Sequence, residues 1–298
     1  MAAATTRLSR QNGSSIKVSF EFFPPKTPEM ETTLWNSVER LAPMKPDFVS
    51  VTYGAAGSTR ERTHATVARI IRETQLSPAA HLTCVAATKD EVLDVVRSYG
   101  EVGVRHIVAL RGDPVDGLGS AYAAHPQGFQ QTSDLVAAIK KTGSFEVSVS
   151  AYPEKHPEAA SLDADIDVLK AKVDSGADRA ITQFFFDNDA YMRFLEKVRT
   201  RGIDIPIVPG ILPVLNFKQT ASFAAKAGAS VPAWLAQRFE GLEDDPKTRS
   251  LIAAASAAEQ VLDLVDQGIN EFHFYTMNRA DLVYAICHLL GLRGSVSN

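Results

Sequence analysis

From Ile16 onward the chain alternates short β-rich apolar runs with longer helical patterns, and it does so eight times. The strand candidates are IKVSFEFF, FVSVTY, HLTCVA, HIVALRG, EVSVSAY, AITQFFF, PIVPGIL and EFHFYT. Between them lie segments with 3.6-residue periodicity, from TPEMETTLWNSVERLA to NRADLVYAICHLLG, several opening at a Ser, Thr, Asp or Asn cap and several closing at Gly. Connections of this length cannot be hairpins, so the strands run parallel; eight repeats of strand and helix close the sheet. The reading is a single (β/α)8 TIM barrel, α/β in class, spanning 16–298, with residues 1–15 as a flexible N-terminal tail. Ser230 to Gly268 inserts extra helices before the last strand. Such an insertion either packs on the barrel, covers a site or makes a subunit contact.

Composition removes several classes of function. Hydrophobic residues make up 45% and charged residues 22%, enough for a large core, and no segment is long and apolar enough to cross a bilayer. A formal charge of −4 with no dense basic block gives no attraction for nucleic acid. Cys84 and Cys287 are the two cysteines and lie far apart, which excludes a CxxC metal site and a disulfide framework and fits a reducing cytoplasm. Seven histidines contain neither HxH at a strand end nor HExxH, and His81, His106 and His273 read as core histidines rather than ligands; no metal is expected. No lysine is placed for Schiff-base chemistry, since Lys17 comes too early and Lys26 lies past the prolines. GLGSAY does not complete a GxGxxG loop, so any nucleotide must be held by barrel loops.

In such barrels the chemistry gathers where strands end. In the first strand Ile16, Val18, Phe20 and Phe22 share one face, which packs on helices, and Lys17, Ser19 and Glu21 share the other. Glu21 therefore points toward the barrel axis near its mouth. Its phenyl neighbours desolvate the carboxyl and favour the protonated form, which makes it a candidate general acid; the alternative is a Glu paired to a buried Arg or Lys. ALRGDP brings Arg111 and Asp113 around Gly112, as a ligand loop that lets a ligand approach the backbone closely or as a plain turn. Gln183, in the corresponding place on the sixth strand, needs partners for two donors and an acceptor, from a heteroaromatic edge or from backbone. Thr52, Tyr53, Tyr152, His156, Tyr275, Thr276 and Arg279 complete a rim better suited to a flat ligand than to a metal ion.

The ordered set FEFFPPKTPEME, VSVTYGA, PAAHLTC, RHIVALRGD, AYPEKHPEA, RAITQFFFD, PGILPVLNFKQ, PAWLAQRF and FHFYTMNRA resembles the methylenetetrahydrofolate reductases, from about Phe20 to Leu292. The resemblance implies a bacterial-type flavoenzyme of one-carbon metabolism and methionine biosynthesis, cytoplasmic and homo-oligomeric. It would reduce 5,10-methylenetetrahydrofolate to 5-methyltetrahydrofolate with hydride passed from NADH or NADPH through FAD in ping-pong fashion. It casts Glu21 as the acid that protonates the folate as its five-membered ring opens, and Asp113 as the carboxylate beside flavin and pterin. Gln183, Phe223 and Arg279 become substrate contacts. Thr52, His81, Arg111, Gly112, Asp113, Tyr152, His156, Asp165 and Lys172 become flavin contacts, with Arg111, Lys172 and the histidines supplying positive charge for the pyrophosphate.

Three departures bear on that reading. Val168 and Ala171 stand where bacterial relatives carry polar or basic cofactor contacts, which implies altered adenine contacts. The loop from Asp113 to Thr132 is long. The resemblance stops with the barrel, so control by adenosylmethionine is not expected. The rival readings are another flavin barrel oxidoreductase of the proline-dehydrogenase kind and a barrel that binds folate or flavin without turnover.

Overall fold

Parallel strand pairing organises the chain in the computed structural model, which describes residues 16–53, 60–114 and 122–293. The expected tail, residues 1–15, and residues 115–121 of the loop after Asp113 lie outside the described residues. The strands are β1 (Lys17–Phe22), β2 (Phe48–Val51), β3 (Pro78–Thr83), β4 (His106–Leu110), β5 (Glu146–Ala151), β6 (Arg179–Thr182), β7 (Ile207–Val208), β8 (Gly210–Ile211) and β9 (Glu271–Tyr275). Their order is β7-β6-β5-β4-β3-β2-β1-β9-β8, parallel throughout. The two ends of that list, β7 and β8, are consecutive in the chain, so the sheet curls into a barrel.

The run expected as one seventh strand, PIVPGIL, is split at Pro209. Proline has no N–H to give a ladder, so the run changes partner there. Ile207 and Val208 pair with Ala180 and Ile181, and Gly210 and Ile211 pair with His273 and Phe274. The carbonyl of Pro209 still accepts from the His273 N–H at 3.0 Å, and the Gly210 N–H donates to Thr182 Oγ1 at 2.9 Å. An ideal Cβ on Gly210 would stand 2.3 Å from the Thr182 oxygen and 2.6 Å from the Tyr275 ring. Only glycine fits between them.

Ten helices wrap the described barrel: α1 (Pro28–Leu41), α2 (Arg60–Glu73), α3 (Lys89–Glu101), α4 (Thr132–Thr142), α5 (Leu162–Asp174), α6 (Asn188–Thr200), α7 (Phe217–Ala227), α8 (Ala233–Phe239), α9 (Pro246–Asp266) and α10 (Ala280–Leu289). Local signals start several of them. Thr27 caps α1 ahead of Pro28, Thr88 and Glu91 form a reciprocal capping box on α3, and Asn216 caps α7. The insertion before the last strand supplies α8 and α9. Leu235, Phe239 and Ala253 join a cluster with Phe184, Phe186, Leu212 and Ala224, while Val261 and Leu264 join the main core. These two helices pack on the barrel.

The period-2 reading of β1 places its side chains correctly. Val18, Phe20 and Phe22 are buried in the layer between sheet and helices, with Leu34 and Val38 of α1. Ser19 and Glu21 face the interior, where Phe48, Ala79, Val108 and Ile181 form a small apolar cluster. His273 stacks on Phe48 with ring centroids 5.7 Å apart, and His106 meets the same ring edge-on at 4.6 Å.

Gly210→Ala tests the closure. The forced displacement of Thr182 and Tyr275 costs roughly 1–3 kcal/mol of stability by overpacking, read as a lower denaturant midpoint with unchanged slope.

Candidate active site

A cavity of about 610 Å³ opens at the C-terminal ends of the strands. Glu21 forms part of its wall, with Thr52, His81, Arg111, Asp113, Tyr152, His156, Gln183, Phe223 and Tyr275. A second cavity of about 590 Å³, between the start of α6 and helices α8 and α9, contains none of the sequence-predicted site residues.

Parallel register fixes where the acid stands. Glu21 lies beside Ser50 of β2 and Tyr275 of β9, one step beyond the Ser19, Phe48 and His273 level. It is only 7% exposed. Its Oε2 is 3.4 Å from His81 Nε2 and 3.6 Å from His273 Nε2, and among the described residues no Arg or Lys pairs with it. Burial pulls the His81 pKa down; the Glu21 charge opposes this and His273 adds to it. His81 is therefore no fixed cation, and the alternative of a Glu locked to a buried Arg or Lys does not describe this site. Ser19 Oγ meets His273 Nδ1 at 2.8 Å, and Thr276 Oγ1 donates to the Glu21 carbonyl at 2.5 Å.

Sequence reasoning passed over Asn278. Its Oδ1 accepts from the Phe23 N–H at 2.8 Å, its Nδ2 donates to the Phe23 carbonyl at 2.9 Å, and its own carbonyl accepts from Ser37 Oγ at 2.7 Å. One side chain thereby ties the chain just past Glu21 to the turn after β9. Met277 and Asn278 both have positive φ, 53° and 54°. Asn in TMN was the available signal, because Asn tolerates this region better than most residues.

The other predicted residues divide between the wall and its backing. Gln183 Oε1 accepts from the Phe184 N–H at 3.0 Å, which leaves its amide nitrogen without a protein partner among the described residues. Phe223 is 46% exposed and stacks on Phe184 at 5.5 Å. Tyr152 and His156 meet edge to face at 4.8 Å, and burial depresses the His156 pKa, with the Arg111 charge adding to it. Burial raises the Tyr275 phenol well above its usual range, and its hydroxyl donates to the Thr182 carbonyl at 2.7 Å.

Gly112, Asp165, Lys172 and Arg279 do not line the cavity. Gly112 has φ +91°, and a Cβ there would lie 2.6 Å from Val85 Cγ1; the constraint visible on it comes from the protein's own packing rather than from ligand approach. Asp165 Oδ2 accepts from the His156 N–H at 2.8 Å, fixing that loop from behind. Lys172 is 5% exposed and donates to the Ser150 carbonyl at 2.5 Å. Burial pushes its ammonium down to about 8, with Asp165 acting in the opposite direction. Arg279 is exposed at the start of α10, and Val168, 55% exposed, stands on the outside of α5.

A family model described as methylenetetrahydrofolate reductase matches residues 7–291. The chain belongs to this family. It is 54% identical over 280 residues to the 5,10-methylenetetrahydrofolate reductase of Escherichia coli K12, covering 93% of this chain and 92% of that one. It is 51% identical over 284 residues to the reductase of Pectobacterium carotovorum, covering 95% and 92%. Methylenetetrahydrofolate reductase 1 of Schizosaccharomyces pombe is 35% identical over 280 residues, which span 93% of this chain and 46% of that one. A solved structure from Clostridium thermocellum, described as an uncharacterized protein binding two copies of 5-methyl-5,6,7,8-tetrahydrofolic acid, matches with a TM-score of 0.64 at 16% identity over 96% of both chains. At that identity the likeness shows the barrel alone.

Two of this reductase-family chain's backing residues give measurable expectations. Asn278→Ala strips Phe23 of its paired hydrogen bonds and costs roughly 1–3 kcal/mol in thermal or chemical unfolding. Lys172 titrates near 8 when folded and near its ordinary value when unfolded, so the unfolded chain holds more protons between those limits and stability rises with pH there. Compared with Lys172→Met, the wild type gains roughly 3 kcal/mol of relative stability from pH 7 to 11; parallel pH profiles for the two proteins would refute this.

Proposed function

We propose that this chain reduces 5,10-methylenetetrahydrofolate to 5-methyltetrahydrofolate, with FAD held in the strand-end cavity and NADH or NADPH as hydride donor. Family membership supports the substrate, and the chemistry of the cavity wall supports the flavin. Its volume suits a cofactor-sized ligand. His81 Nε2, 3.4 Å from Glu21 Oε2, is buried and makes no hydrogen bond among the described residues, so an acceptor or donor on a flat heterocycle would satisfy it. Tyr152, Phe184 and Tyr275 offer aromatic surface, and Arg111 offers a fixed positive charge near the opening. FAD, when bound, supplies a two-electron carrier that accepts hydride from a nicotinamide and delivers it to a carbon electrophile.

The chain's own residues do the rest. Thr52, His81, Asp113 and Tyr152 would hold the flavin ring, and Arg111 with His156 would hold its phosphates. Gln183 donates its amide hydrogens to the pterin edge, while Phe223 slides over whichever flat partner is present. Glu21 gives its proton to the amine nitrogen that leaves as the five-membered ring opens, and its burial keeps competing water away. Asp165 and Lys172 act through His156 and Ser150, and Gly112 through the strand end it packs against. Arg279 is assigned to the part of the folate that reaches beyond the cavity. Nicotinamide and folate use the same opening in turn, which gives ping-pong kinetics. The same reading places the chain in one-carbon metabolism and methionine biosynthesis, as a cytoplasmic homo-oligomer.

One observation carries this proposal: a buried carboxyl group projects into the cavity against two imidazoles and, among the described residues, no permanent cation. Glu21→Gln is expected to leave flavin reduction by NAD(P)H within a factor of about two and to slow folate reduction by roughly 10²-fold or more in stopped-flow half-reactions. Equal impairment of both half-reactions removes Glu21 as proton donor.

A further inference from the structure

Acid outnumbers fixed base on the cavity wall. Glu21, Asp113 and Glu158 face only Arg111 and Lys226 as permanent cations among the described residues. Lys226 is exposed on α7. Arg111 is engaged: Nη1 and Nη2 donate to Glu158 Oε2 and Oε1 at 2.5 and 3.0 Å, and its guanidinium carbon lies 4.1 Å from the centre of the Tyr122 ring. A fork-to-fork pair of this kind occupies the same parallel N–H bonds with which arginine grips a phosphate.

Glu158 is placed to let go. It sits in the segment between β5 and α5 rather than on a strand, and its side chain is 45% exposed. Its backbone N–H donates to His156 Nδ1 at 3.1 Å, so the carboxylate hangs from the same short turn that carries His156 into the cavity wall. Lys155, just before that turn, holds φ at +103°, and its ammonium braces the turn through the Pro157 and Ala159 carbonyls at 3.3 and 2.7 Å. The backbone of the turn is fixed while the carboxylate tip remains at the solvent boundary.

We propose that Glu158 is an internal stand-in for the anionic part of the cofactor: it holds Arg111 across the cavity mouth and yields the guanidinium when a phosphate group arrives. The inference rests on the flavin reading above. Two effects act in the same direction. An incoming phosphate must displace a carboxylate from Arg111, and once bound it lies beside a displaced negative charge at close range. Glu158 thereby weakens binding of phosphate-bearing flavins and leaves a neutral flavin untouched.

The test titrates the full chain, wild type and Glu158→Gln, with FAD, FMN and riboflavin by quenching of flavin fluorescence. FAD and FMN are expected to bind roughly two- to five-fold more tightly to the variant, the range set by a partly exposed ion pair. Riboflavin is expected to change by less than about two-fold, and the FAD gain is expected to shrink at high salt as the charges are screened. Unchanged or weaker FAD binding, or an equal gain for riboflavin, overturns the proposal. If Glu158→Gln does not fold, Glu158→Asp, whose shorter arm strains the two-pronged pair, shows the same order with a smaller gain, and absence of any gain overturns it. A wild-type chain that binds none of the three flavins overturns the flavin reading itself, and the stand-in role with it.

Discussion

Closure of the parallel sheet is the constraint on which everything else depends. β1 is paired on both sides, with β2 and with β9, so its alternation between outer and inner faces cannot slip without burying Lys17 or exposing Phe20. That closure passes through a strand broken at Pro209, with one half-strand bonded to each neighbour. Gly210 makes the exchange sterically possible, and Tyr275 fills the space it leaves. Once the ring is closed, the inward residue at the end of β1 has one place to go, which is the floor of the cavity.

What surrounds that residue decides its chemistry. A carboxylate buried against arginine would be locked in its charged form and of little use as an acid. Here the neighbours are His81 and His273, both enclosed, and burial disfavours the charged form of His81. Among the described residues no Arg or Lys holds the carboxyl in an ion pair. Among the described residues of the wall, permanent positive charge is carried by Arg111 and Lys226.

The fold was legible because its signals are local. Eight helices were announced by periodicity and caps such as Thr27, Thr88 and Asn216, and the Ser230–Gly268 segment was correctly read as additional helix. The inward face of β1 followed from period two. Placement of the site was partly legible for the same reason, since residues at strand ends must crowd one mouth: Glu21, Arg111, Asp113, Tyr152 and Gln183 do so. The supporting places of Asn278 and His273 behind the wall, and of Glu158 on it, were missed. Asn278 acts on a residue 255 positions away, and Glu158 acts on one 47 positions away, distances over which no local pattern reports. Gly112, Asp165, Lys172 and Arg279 were named as contacts of a ligand, yet they stand behind or outside the wall.

The amino-acid order by itself determined the strands, the helices, their parallel succession and the face on which Glu21 lies, because these depend on backbone geometry and on neighbours a few residues away. Only the tertiary structure decided that the acid meets two histidines and, among the described residues, no Arg or Lys, that Arg111 is held by Glu158, and that Lys172 is buried beneath the wall. Those facts are distances between residues far apart in the chain. Charge, desolvation and hydrogen bonding act through space, and space is assigned only when the barrel closes.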